Sequence, residues 1–160
     1  MTTDYIVASL PPLAFGEKPA LSREKFDELA AHRIAKPLEK WRDLETQLRN
    51  AMASCRGGAE KYLRHADGCS IYWKSRIEAC FQEKDVAKRD EMLDRVWWDA
   101  AGELTSPSDP LGKGALATYA VRLRIAERRA RISPEAGDAA FDALTAATKP
   151  QVAASSGLTE

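Results

Sequence analysis

Trp41, Leu44, Leu48, Ala51 and Cys55 follow one another at steps of three and four residues, and only a helix brings such positions to one side. The run is bracketed by helix punctuation. Pro37 suits a first turn, and the Gly57-Gly58 pair ends the segment. An apolar seam this narrow on a helix this long requires a second long helix to cover it. The rest of the chain supplies candidates. Ser22 suits an N-cap, with Phe26 and Leu29 on one face of a short helix ending near Ile34. Tyr62 and Leu63 belong to a shorter helical piece that stops at Gly68. Trp73, Ile77 and Phe81, four apart, predict a helix over about 71–82, and Leu93, Val96, Trp97, Ala100, Ala101 and Leu104 predict another over about 85–104. The prolines and polar residues of 105–110 break that helix, and a further long one runs from near Gly114 to Ile132. Ser133-Pro134 then opens a terminal helix through Phe141 and Leu144.

The expected fold is therefore all-α: a single helical bundle of about six helices in one domain, residues 1–150, with a flexible C-terminal tail over 151–160. A chain of 160 residues is long enough for one real core and too short for two comfortable ones. Before the first clear helix lies the block Tyr5-Ile6-Val7-Ala8-Ser9-Leu10-Pro11-Pro12-Leu13-Ala14-Phe15-Gly16. Its apolar start is too short for periodicity to separate a strand from a short helix capped by Asp4. Either way, five neighbouring apolar positions and Tyr5 predict a buried segment. It reads poorly as a signal peptide, because it follows Asp4 rather than a basic stretch and two prolines end it. No segment approaches the roughly 20 apolar residues that span a bilayer. Three cysteines, an odd number, argue against a disulfide framework and for a reducing cytoplasm.

Chemistry-bearing signatures are sparse. The chain has two histidines, His32 and His65, and no recognisable nucleophile–base pattern. His65 and Cys69 are four apart and could join Cys55 and Cys80 at a metal, but Gly68 interrupts the helix and no CxxC or HxxxH supports it. The expectation is a protein that is not an enzyme, with no metal and no cofactor. Gly112-Lys113-Gly114-Ala115 lacks the upstream glycine and the Ser/Thr of a phosphate-binding loop, so no small-molecule ligand is expected.

The late helix carries the strongest candidate surface. Leu116, Tyr119, Leu123, Ala126 and Ala130 form one stripe, assigned to the core. Val121, Ile125 and Ile132 form a second, narrower one. Arg122 and Arg129 flank one side, and Arg124, Arg128 and Arg131 the other. Two readings stand: a central helix touching neighbours on two sides while its arginines reach water, or a docking face. In the docking reading Val121, Arg122, Arg124, Ile125, Arg128, Arg129 and Ile132 meet a partner protein, since arginine is enriched at interfaces. Trp98 must point about 100° away from Trp97, which is assigned to the core. It is either a second internal contact or an anchor in that interface. Nucleic acid is not the expected partner. Acidic and basic residues balance at 24 each, and arginines split over two faces would give a salt slope of only about −2 to −3.

The sequence also resembles a bacterial family of unknown function whose genes lie beside V/A-type ATPase genes. The residues that carry the likeness are, in order, YIVASLPPLAFG, LSREKF, WRDLETQLRNAMASCRG, LDRVWWDAAGEL and LATYAVRLRIAERRARISPEAGDAAFDAL. The late helix is more distantly similar to the C-terminal part of the all-helical socket protein of V/A-type ATPases, which stands between rotor shaft and membrane ring. The resemblance implies a non-catalytic component or assembly factor that docks other V/A-type ATPase subunits. Its location would be the cytoplasm, peripheral at the inner membrane through the complex. The other expectation is a helical adaptor of a different cytoplasmic complex.

Overall fold

The predicted seam does form a helix, and its ends follow the punctuation. In the computed structural model, which describes residues 1–155, Ala35–Cys55 is the long helix α3, with Trp41, Leu44, Leu48 and Ala51 buried. Gly57, at φ +78°, turns the chain through a left-handed conformation that favours glycine. The Gly58 and Gly57 amides donate back to the Ala53 and Ser54 carbonyls at 2.8 and 3.1 Å, closing the helix end. Before it lie α1 (Thr3–Ser9), α2 (Arg23–Ala30) and a 3-10 turn, Ala31–Arg33. After it come α4 (Ile71–Cys80), α5 (Val86–Ala101), α6 (Lys113–Ala130) and α7 (Pro134–Ser155). Short 3-10 turns at Glu60–Tyr62 and Gly102–Leu104 complete an all-α chain, and no strand occurs among the described residues.

The caps fall where the polar residues stand. Ser22, Ser70, Asp85 and Ser133 accept from the Lys25, Trp73, Lys88 and Ala136 amides at 3.4, 3.3, 2.9 and 3.0 Å. The initial segment is a helix rather than a strand, and Thr2, not Asp4, caps it by accepting from the Tyr5 amide at 3.4 Å. It is also less buried than expected. Only Ile6 enters the core, Val7 and Leu10 lie at its edge, and Tyr5 faces water. About two turns packed mainly on α6 bring only one position fully inward.

Helix α6 is the hub, touching α1, α2, α3 and α5, while α4 packs on α3 and α5. The core is continuous, from Ile6 and Phe26 through Leu48 and Ile77 to Val96, Leu116 and Leu123. Two residues assigned to apolar faces lie elsewhere: Leu29 and Ala130 are exposed. Along its polar edge α3 holds the following loop. Asp43 accepts from the Asp67 and Gly68 amides, Gln47 accepts from the Ser70 amide at 2.9 Å, and Asn50 exchanges hydrogen bonds with the Arg64 backbone at 2.7 and 3.0 Å. The Asp67 amide, then the Gln47 side-chain amide at 2.8 Å and the Gly68 amide, hold the Asp43 carboxyl pKa below its usual value.

Helix α7 lies outside the core, with Phe141 and Leu144 exposed. It runs to Ser155, so the first five residues expected in the tail are helical, and 156–160 lie outside the described residues. Among the described residues no helix is long and apolar enough to cross a membrane.

Candidate docking surface

The RLRIAERR run of α6 places arginines on either side of a buried stripe, and α5 answers with Asp90, Glu91 and Asp94. Asp94, buried between the two helices, accepts from Arg128 Nη2 and, at 2.9 Å, from Arg129 Nη1. Arg128 is also 3.6 Å from Asp90, and Arg129 is 3.7 Å from Glu91. Burial works against the Arg128 charge, but its bonds to Asp94 and the neighbouring acids more than offset that, so its pKa rises. Arg122 differs. Its Nε donates to the Trp98 carbonyl at 3.1 Å and its guanidinium lies 5.2 Å from the Trp98 ring centroid. Burial, the larger influence, lowers its pKa. These arginines join α6 to α5 instead of forming a rim.

The eight residues expected to meet a partner therefore do not form one surface. Val121 and Ile125 are 4% and 8% exposed and belong to the core. Trp98 is buried against the edge of Phe15, with ring centroids 5.6 Å apart, whereas Trp97 is only partly buried. Of the eight, Arg124, Arg128 and Ile132 are exposed, and Arg128 is held by Asp94. The second stripe is apolar because four helices, α1, α2, α3 and α5, pack against α6. A helix projection carries no information on how many neighbours a helix has.

A different apolar surface is open. Helices α4 and α5 border a groove of about 890 Å³, with Tyr72, Met92 and Val96 in its walls and Phe15 at one end. Phe15 is held there by the guanidiniums of Arg95 and Arg129, 4.8 and 5.2 Å from its ring centroid. Arg76, Lys88 and Arg95 stand in the lining against a single carboxylate, Glu91. Behind them, Asp99 serves two cations, 3.0 Å from Arg76 and 3.8 Å from Arg95. Lys88 is paired with Glu83 at 3.0 Å, so the positive charge open to an incoming acid is that of Arg76 and Arg95, which share the one Asp99 carboxylate. The sequence signal was present in Phe15 and in the α4 and α5 apolar residues, but their convergence depends on how the segment after α1 crosses α5.

The cysteines remain apart in role. Cys55 is partly buried, Cys69 exposed and Cys80 buried, and burial raises the thiol pKa of Cys55 and Cys80. His65 lies on the surface, 3.2 Å from Asp67. Among the described residues no three His, Cys, Asp or Glu side chains converge as a metal-holding group. Comparisons of the chain with family models, curated proteins and solved structures give no match.

Proposed function

We propose that this chain is a non-catalytic component or assembly factor of a bacterial V/A-type ATPase. It would dock beside the central stalk or membrane ring, in a role like that of the helical socket protein found there. The observation that carries the reading is the mutual contact of the segments behind the resemblance. Tyr119 of the YAVRLRI segment donates its hydroxyl to the Pro11 carbonyl of the SLPP segment at 3.0 Å. Phe15 of the same opening block meets Trp98 of the DRVWW segment, and Arg129 bonds Asp94 of that segment. These separated motifs make one structural unit at the end of the α4–α5 groove.

The docking surface in this reading is that groove, and its occupant is a helix of a neighbouring ATPase protein with an apolar face and an acidic flank. The apolar walls supply buried area, and Arg76 and Arg95 set the orientation. Such docking transmits torque or guides assembly without nucleotide. Affinity purification of the tagged ATPase from native cells tests it. The chain is expected in the complex or in an assembly intermediate, and the substitution Met92→Glu is expected to remove it. Its absence from both fractions would refute the proposal.

A further inference from the structure

The first turns of α3 and α6 meet across a second cavity, of about 560 Å³, and its lining is basic. Arg33, Lys36 and Lys40 come from the chain around the start of α3, Lys113 opens α6, and His32 adds an imidazole. No carboxylate lines the cavity. Among the described residues none of the four cations has an acid within 4.0 Å, whereas Arg76, Arg95, Arg128 and Arg129 are all paired. Asp109, which lies against Gly112 just before α6, stands outside the lining. Clustering unpaired like charges is unfavourable unless an anion joins them.

Two further observations agree. Neither α3, with 21 residues, nor α6, with 18, has a side chain capping its N-terminus. The positive ends of two long helices thus border the cavity without a side-chain acceptor. The Arg33 guanidinium reaches toward the first residues of the chain, its Nη1 and Nη2 donating to Thr3 Oγ1 and the Met1 carbonyl at 3.5 and 2.8 Å, and its Nε is buried without a hydrogen-bond partner. Buried orphan donors are rare in folded proteins. The wall is closed by a tight approach: a Cβ on Gly114 would lie 2.0 Å from the Leu104 carbonyl oxygen, so only glycine lets α6 begin there. Leu104 and Pro37 give the cavity an apolar side.

We propose that this cavity binds a phosphate group carried on a small organic body. A dianionic phosphate offers several acceptor oxygens to lysines and helix N-termini at once, which a carboxylate does not. The Gly-Lys-Gly of 112–114 thus serves an anion without being a phosphate-binding loop of the usual sequence, contrary to the expectation that no ligand binds. The phosphate could belong to a soluble ester or to a lipid headgroup, and the test separates them.

Full-length protein is titrated calorimetrically at low salt with inorganic phosphate and with glycerol 3-phosphate. In parallel it is sedimented with phosphatidylcholine vesicles with and without phosphatidic acid. Removing one exposed cation weakens such binding by about 2–5-fold, so Lys36→Ala/Lys40→Ala/Lys113→Ala is expected to weaken it roughly 10–100-fold with an unchanged circular dichroism spectrum. The matching Lys→Arg triple is expected to retain binding, and Lys18→Ala/Lys25→Ala/Lys61→Ala to leave it unaltered. Binding of the soluble phosphates, lost in the first triple, establishes an ester site. Binding only to phosphatidic acid vesicles, lost in the same triple, establishes a headgroup site. No binding to any probe overturns the proposal, as does a loss that is equal in the two alanine triples.

Discussion

Substituting Asp94 by alanine tests the arginine–acid junction between α5 and α6. The Asp94 side chain is 11% exposed and serves two guanidiniums. Removing one member of a buried ion pair typically costs about 3–5 kcal/mol, because the other charge is left without compensation. The two arginines do not share that cost equally. Arg128 is 52% exposed and keeps Asp90 at 3.6 Å, so water and a second acid relieve it. Arg129 is 18% exposed, and its remaining acid, Glu91, is 3.7 Å away and itself exposed. The loss is therefore about 2–3 kcal/mol, carried mainly by Arg129. For a domain of this size that lowers Tm by roughly 4–12 °C. Urea and thermal unfolding followed by far-ultraviolet circular dichroism give the number. Asp90→Ala, on the open side of the junction, is expected to cost less than about 1 kcal/mol. In Asp94→Ala/Arg129→Met the uncompensated charge is gone, so the double variant should be less destabilised than the sum of the singles by about 1–2 kcal/mol. Asp94→Ala within about 0.5 kcal/mol of the unaltered protein, or additive singles, would refute this account of the junction.

Trp98→Ala is expected to cost about 3–5 kcal/mol and Trp97→Ala distinctly less, measured by the same unfolding curves, because only Trp98 is enclosed by Phe15 and Arg122. Gly114→Ala should destabilise by about 1–3 kcal/mol through overlap with the Leu104 carbonyl, whereas Gly137→Ala in α7 meets open space and should be neutral or slightly stabilising. The depressed Asp43 carboxyl contributes stability that is complete above its unfolded pKa, near about 3.9, and is lost as pH falls through the folded value. The stability gap between the unaltered protein and Asp43→Ala should then stay constant from about pH 7 to 5 and narrow below about pH 4. A gap that widens on acidification would contradict it. Under native conditions a thiol-reactive disulfide should modify Cys69 first, with Cys55 and Cys80 following slowly, as their thiol pKa values are raised by burial.

What could be read from the residues was local. The α3 seam, the Gly57-Gly58 stop and the caps at Ser22 and Ser133 each depend on residues within one turn of one another. A one-dimensional pattern is sufficient there. Burial of Trp98, Val121 and Ile125 was not legible, because it depends on how many neighbours cover α5 and α6, and periodicity reports one helix at a time. Tyr5 failed the other way, since an apolar neighbourhood in sequence does not supply a covering surface. The two cavities were further out of reach. One draws Phe15 to α4 and α5, and the other draws Lys113 to Lys36, so neither has a contiguous signature.

The contact between Tyr119 and Pro11 has a consequence for synthesis. The two residues are 108 apart, and the Arg23 amide waits across 104 for the Glu127 carboxylate. A nascent chain releases its opening segment from the ribosome well before the helix that will cover it. At ordinary elongation speeds the delay is roughly 5–20 s. For that interval Phe26 and Ile6 lack their final neighbours, and a stalled or truncated product that stops short of Tyr119 retains the same exposed surface for as long as it persists.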